Sequence, residues 1–220
     1  MGLFSRKSPE EKRLKKFSKT EENVKKSISV YKKISSFAPP IFSLYDLSAT
    51  REEYVKTGEY FQEWLLNKVP EALSNSRMFT HSKFWEGFRD NISKGLISLL
   101  IVDEYGECLK CCDALMDMKE DLFNKKIARG SGSFLSVAEL AVASAGVGGN
   151  SKQEALIKQV EFYKLICLTE LEKEPSARLM LKEFPDNYAL KIKKDDDYFN
   201  QHFKYKDNLS IEYMKEKLQK

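Results

Sequence analysis

The chain has 220 residues, of which 42% are hydrophobic, 12% aromatic and 32% charged. This length suits one domain or two small ones, and the aromatic content excludes a disordered chain because these rings can fill a core. With only 10 glycines and 6 prolines, a fibrous or low-complexity chain is excluded as well.

The net charge of +4 is unevenly distributed. Residues 1–33 contain 11 lysines and arginines against 4 acidic residues, a net charge of +7, which leaves −3 for the rest of the chain. The sequence therefore combines a basic N-terminal segment with a mildly acidic body, and these totals disfavour nucleic acid as a partner.

The first helix is predicted from Ser8 onward, because Ser8 and Glu11 form a capping box and Pro9 fits the first helical position. Its apolar residues recur on one narrow stripe, and every other face is charged. We predict a basic amphipathic helix within an N-terminal extension, residues 1–37, that ends before Pro39. The stripe is the leading candidate for binding a partner helix or a second copy of the chain: Leu14, Phe17, Val24, Ile28, Tyr31 and Ile34.

Residues 41–220 are predicted to form one helical domain. A second helix starts at the capping box of Thr50 and Glu53, with Pro70 expected to end or kink it, and a third starts near Ser82. A capping box at Ser151 opens a helix that looks central and buried, and short helices follow near Pro175 and over 210–218. The expected fold is all-α, an irregular multi-helix bundle, with a flexible Gly/Ser/Ala-rich segment at 129–151.

The segment from Ile101 to Gly106 leaves an alternative open. It resembles the strand and turn of cystathionine-beta-synthase-type nucleotide-sensing domains, which would place a second strand over 107–112. The helical stripe that continues through Cys112 and Leu115 instead predicts two helices, or one kinked helix, over 82–122.

A glycine-rich segment before the Ser151 helix suggests a phosphate-binding loop, since such loops can present backbone N–H groups to an anion. The candidate nucleotide-binding residues are Gly146, Gly148, Gly149 and Lys152. The order Asn-Ser-Lys departs from the Gly-Lys-Ser/Thr of the P-loop, so a nucleotide-dependent activity is the third hypothesis for function.

The start of the chain suggests contact with a membrane, because a short apolar tip beside basic residues can bind an anionic surface. It resembles the openings of membrane-remodelling proteins of the phage-shock and ESCRT-III kind, and this resemblance implies a peripheral membrane protein. The candidate membrane-contact residues are Leu3, Phe4, Arg6, Lys7, Lys12, Arg13, Lys15 and Lys16.

No catalytic motif stands out, and the pattern favours a non-enzymatic protein without a cofactor or a metal. Cys108, Cys111 and Cys112 would share one helix face, where a seam of small residues is a better interpretation than a zinc site. Together with Cys167 they are expected to be thiols in a reducing cytoplasm. The leading hypothesis is an adaptor, regulator or inhibitor-type protein that binds another macromolecule, in the cytoplasm or at the inner face of a membrane.

Overall fold

The computed structural model describes residues 8–32, 38–75, 82–119, 147–185 and 211–219. Within these ranges the regular structure is helical and includes no strand, which confirms the predicted all-α, multi-helix fold. The chain divides into two compact units, Met1–Asp103 and Glu104–Lys220. The predicted boundary lay at residues 37–41, whereas the two units meet after Asp103. The first helix belongs to the same unit as the helices that follow it, although Pro39 and Pro40 separate it from them along the chain.

The N-terminal unit consists of α1 (Pro9–Ser29), α2 (Ile41–Tyr45), α3 (Arg51–Gln62), a π-helical segment (Glu63–Lys68), α4 (Val69–Asn75) and α5 (Ser82–Ile101). Helices α1 and α3 begin at the predicted capping boxes. The side chains of Ser8 and Thr50 accept the backbone N–H groups of Glu11 and Glu53, and both carboxylates accept the backbone N–H of the capping residue in return.

Of the two outcomes predicted at Pro70, an end or a kink of the second helix, the end is not formed. The π-helical segment comes just before Pro70, and in it the backbone N–H of Val69 donates to the carbonyl of Trp64. The chain then remains helical through Pro70, which belongs to α4. A proline lacks the N–H donor and its ring clashes with the carbonyl four residues earlier. The wider π turn immediately before Pro70 accommodates that missing hydrogen bond without interrupting the helix.

The start of α2 is held by a side chain from another helix. Asn91 of α5 is fully buried, and its Oδ1 accepts the backbone N–H of Phe42 at 3.0 Å while its Nδ2 donates to the carbonyl of Pro39 at 2.6 Å. Helix α2 has no capping hydrogen bond from a side chain of its own, so Asn91 satisfies the N–H of Phe42 and adds a second hydrogen bond to the Pro39 carbonyl, which also accepts the N–H of Ile41.

Helices α3 and α5 cross closely at two glycines. A Cβ atom added to Gly58 would lie 2.6 Å from Leu99 Cδ2, and one added to Gly95 would lie 2.1 Å from the ring of Phe61. Both distances are far inside van der Waals contact. The two backbones can therefore approach this closely only because each helix presents a glycine to a large side chain of the other.

The core of the N-terminal unit is aromatic and centres on Trp64. Its indole lies 5.1 Å from the ring of Phe88 and 6.1 Å from that of Tyr31, both edge-on, and 6.3 Å from the ring of Phe61. All four side chains are buried. Trp64 thus joins α5 to the chain segment that follows α1 in a single cluster.

The C-terminal unit consists of α6 (Tyr105–Asp117), α7 (Val147–Glu170), α8 (Glu174–Leu181) and α9 (Ile211–Lys217). Helix α7 packs along α6 and is buried over much of its length, as its wide apolar face predicts. Helix α9 closes the unit by burying Ile211 and Met214, with Leu218 just beyond it. The ring of Phe162 on α7 packs 5.5 Å from that of Phe184.

The strand expected from the cystathionine-beta-synthase resemblance is not formed. Ile101 is the last residue of α5, residues 107–112 lie within α6, and the two helices are separated by a short turn in which Asp103 has a φ of 66°. Apolar residues spaced by three and four on both sides of this turn are buried, so the helical alternative describes residues 82–119.

The α3–α5 crossing predicts opposite effects for two glycines of α5. Gly95→Ala should lower the free energy of unfolding by about 1–2 kcal/mol, because forcing a methyl group into the Phe61 ring costs more than the roughly 1 kcal/mol that alanine gains in helix propensity. Gly87→Ala should be neutral or stabilising, because its new Cβ would meet only the Cβ of Ala38, at 3.8 Å.

Urea unfolding followed by tryptophan fluorescence measures this difference, since both tryptophans of the chain, Trp64 and Trp85, belong to the N-terminal unit. Equal unfolding midpoints for the two alanine variants would contradict the close crossing.

Candidate functional site

The inner face of α1 is covered by the chain itself. Phe17, Val24 and Ile28 are 5%, 0% and 2% exposed, and Tyr31, just after the helix, is 3% exposed. Helix α1 lies against α2 and the π-helical segment, so the predicted stripe packs into the core of its own unit. A partner could reach these four side chains only if α1 left that position.

The other two residues of the predicted partner-binding stripe are placed differently. Leu14 is 47% exposed at the edge of the packed face. Ile34 lies outside the described residues. The binding of a partner along the whole stripe therefore stays a prediction, and the structure shows a different use for its central residues.

Arg13 joins α1 to the start of α3. Its Nη1 donates to both carboxylate oxygens of Glu53, at 2.9 and 3.0 Å, and to the carbonyl of Leu47 at 2.6 Å. Its Nη2 donates to Glu10 at 2.7 Å. Arg13 was a predicted membrane-contact residue, but its guanidinium is committed to these partners within the unit.

The carboxylates around Arg13 are held in the charged state. Burial raises the pKa of Glu53, but hydrogen bonds from Arg13 and from the backbone N–H groups of Ala49 and Thr50 outweigh it, so the pKa lies below its ordinary value. The hydrogen bond from Arg13 likewise lowers the pKa of Glu10. The arrangement is an ion pair that remains formed at neutral pH.

A second polar contact holds the middle of α1. The hydroxyl of Tyr60 on α3 donates to Glu21 Oε1 at 2.9 Å, and Lys25 Nζ lies 3.2 Å from the same oxygen. The Lys25 ammonium also lies 5.7 Å from the centre of the Tyr60 ring. Helix α1 is thus held by an apolar stripe and by two polar contacts on its flanks.

The outer face of α1 carries free lysines. Four of them are exposed and form no ion pair with any residue in the described part of the chain: Lys12, Lys15, Lys16 and Lys19. At 100° per residue Lys12, Lys15 and Lys19 fall on the side of the helix opposite Phe17, and Lys16 lies next to them, about a quarter of a turn from the buried stripe. We call these four residues the outer lysine face.

Lys19 was absent from the predicted membrane-contact set, although its spacing of three and four from Lys16 and Lys15 places it on the same face. The remaining members of that set, Leu3, Phe4, Arg6 and Lys7, lie outside the described residues.

The predicted phosphate loop is mostly helix. Helix α7 begins at Val147, four residues before the expected cap at Ser151, so the backbones of Gly148, Gly149 and Lys152 belong to its first turns. Gly146 lies outside the described residues. The nucleotide hypothesis therefore loses the open loop on which it was based.

The four cysteines are buried in the C-terminal unit. Cys108 on α6 contacts Cys112 one turn later and Cys167 on α7, and burial, followed by these neighbouring thiols, raises its pKa. Burial also raises the pKa of Cys111. Within the described ranges no group of His, Cys, Asp and Glu has a geometry that could hold a metal ion.

The C-terminal unit also contains a cavity of about 440 Å³ beside the end of α7. Its polar lining includes Glu172, Glu174, Glu216 and Lys217, and the ammonium of Lys217 is bound to Glu170 at 2.8 Å. Because the carboxylates outnumber this one ammonium group, the cavity is more favourable to cationic than to anionic groups.

The Arg13–Glu53 ion pair predicts a pH-dependent contribution to stability. The folded-state pKa of Glu53 lies below its ordinary value of 4.5, so the carboxylate stabilises the fold above that value and the contribution is lost as the pH falls through the folded-state pKa. Glu53→Gln should lower the free energy of unfolding by about 1 kcal/mol at neutral pH, and the difference from wild type should vanish in strong acid.

Urea unfolding across this pH range measures the effect, with Glu52→Gln, an exposed neighbour in the same helical turn, as the control. An identical pH dependence for wild type and Glu53→Gln would show that the ion pair contributes nothing to stability.

No family model, no curated protein and no solved structure matches the chain. In the part of the chain that the structure describes, no helix has both the length and the apolar character needed to cross a membrane. The two faces of α1, one buried and one exposed, are therefore the features that bear on function.

Proposed function

We propose that the chain is a non-enzymatic helical protein that binds another macromolecule, as an adaptor, regulator or inhibitor-type partner. The observation that supports this is the outer lysine face, four exposed ammonium groups that lack ion-pair partners in the described ranges. Such a concentration of one charge attracts an anionic macromolecule, and attraction of this kind increases the rate of association.

The way α1 is held supports binding at this surface. Its backbone is fixed by the buried stripe, by the Arg13–Glu53 ion pair and by the Tyr60–Glu21 hydrogen bond. A partner therefore meets a helix that is already formed and placed, and only the flexible lysine side chains lose freedom on binding. Preorganisation of this kind lowers the entropic cost of association.

The inner stripe is a less accessible surface. Exposing Phe17, Val24 and Ile28 to reach a partner would cost about 1.5–3 kcal/mol for each side chain, because each is almost fully buried. The outer lysine face is available without that cost. We therefore favour it as the binding surface of the folded protein.

The partner is best described by its charge. A second copy of the chain would bring the same positive face if the two surfaces paired symmetrically, and the like charges would repel. An anionic partner protein or another anionic surface fits better. We place this interaction in the cytoplasm, where the inner face of a membrane is one of the anionic surfaces present.

Retention on an immobilised sulfated polysaccharide tests the proposal. Wild type should bind at low salt and elute as the salt concentration rises, because added salt screens the attraction. A variant with reversed charge at the outer lysine face should pass through unretained: Lys12→Glu, Lys15→Glu, Lys16→Glu and Lys19→Glu.

A matched control changes the net charge equally but spares this face, by reversing four other exposed lysines: Lys32, Lys56, Lys173 and Lys182. The control should keep most of the retention, and thermal unfolding should show that both variants remain folded. Equal loss of retention in the two variants would show that total charge, rather than the outer lysine face, controls binding.

A further inference from the structure

We propose that the partner of the outer lysine face is an anionic lipid bilayer, on which α1 lies while it stays docked to its own unit. This inference depends on the proposed function, because it names the class of macromolecule that the same surface binds. It departs from the mode expected from the sequence, in which Leu3 and Phe4 insert and Arg13 contributes to the electrostatic anchor.

The geometry of the four lysines suits a broad, flat surface. Lys12 and Lys19 are seven residues apart, so the set extends over roughly 10 Å along the helix axis. All four are exposed, and at 100° per residue their positions fall within an arc of about 100° that excludes the buried Phe17 and Val24. A plane of headgroups can therefore contact every ammonium group at once without disturbing the packing of α1.

The chemistry of this face favours lipid headgroups over nucleic acid. The guanidinium of Arg13, which could grip a phosphate with two parallel hydrogen bonds, is already bound to Glu53. The charges that remain are lysines, which act as mobile point charges. Along 12–19 the exposed positions carry no aromatic ring on which a base could stack, as single-stranded nucleic acid requires.

The packing of α1 determines how the bilayer is bound. With the inner stripe buried, α1 has no apolar face to insert, and Leu14 at its edge is only 47% exposed. Attraction to the negative headgroups then provides the affinity, at roughly a five-fold gain for each lysine near the surface. We expect reversible association that is lost at high salt.

Vesicle flotation with the full chain tests this inference. Wild type should float with vesicles of phosphatidylcholine and phosphatidylserine at low salt, and should remain at the bottom with phosphatidylcholine alone or at high salt. The outer-face variant should bind the anionic vesicles at least roughly 100-fold more weakly, whereas the matched control should lose much less.

Two further measurements examine the docked state. The double variant Leu3→Ser, Phe4→Ser should float as wild type does. In a Trp85→Phe background, which leaves Trp64 as the only tryptophan, the emission maximum should not move on vesicle binding, because Trp64 remains packed against Tyr31. Loss of flotation in this double variant, or a shift of the emission, would overturn the docked mode.

The remaining outcomes separate this inference from the proposed function. Retention on the polysaccharide without flotation on anionic vesicles would overturn the bilayer inference and leave the proposed function standing. Tighter binding to a single-stranded oligonucleotide than to the vesicles would replace the bilayer by nucleic acid. Failure to bind any of the three polyanionic probes would overturn both.

Discussion

The close approach of α3 and α5 at Gly58 and Gly95 is the constraint on which the N-terminal unit depends. It brings the end of α3 down onto α5, so that Phe61 packs directly over the backbone at Gly95. Trp64, at the start of the π-helical segment, then lies between Phe88 and Tyr31. The position of α1 follows from this arrangement, because Tyr31, just after the helix, packs against this indole.

Once α1 is placed, its charges separate into two groups. Those on the flanks of the buried stripe, Arg13 and Lys25, find partners in Glu53 and in the Glu21–Tyr60 pair. Those on the far side remain in solvent. The excess of positive charge in the N-terminal segment is thus divided on a single helix between cations that hold the fold together and cations that remain free in solvent.

Much of the fold is readable from the sequence because the relevant signals are local. The capping boxes at Ser8 and Thr50 fix two helix starts within three residues of sequence, and the apolar periodicity identifies α5, α6 and α7. Which side of α1 would be covered could also be read from its stripe. The elements that pack against this side could not be identified from the sequence, because they are α2 and the π-helical segment, which lie further along the chain.

The features that sequence reasoning missed depend on contacts between distant residues. Helix α2 is completed by Asn91, 49 residues beyond Phe42, so no local pattern marks its start. The ion pair of Arg13 with Glu53 joins residues that are 40 apart in the sequence. It occupies the guanidinium of one of the predicted membrane-contact residues. The early start of α7 at Val147 shows that a capping signal at Ser151 does not prevent helix from extending through the glycines before it.

The order of these elements along the chain has a consequence for protein synthesis. Helix α1 ends at Ser29, whereas the indole that joins its far end to α5 belongs to residue 64. At the usual speed of translation, about 5–20 residues per second, about 2–7 seconds pass between the synthesis of Ser29 and that of Trp64. In this time the apolar stripe of α1 exists, but the indole that packs at its end does not. During that interval the ribosome carries an uncovered basic amphipathic segment, a form that the finished protein no longer displays.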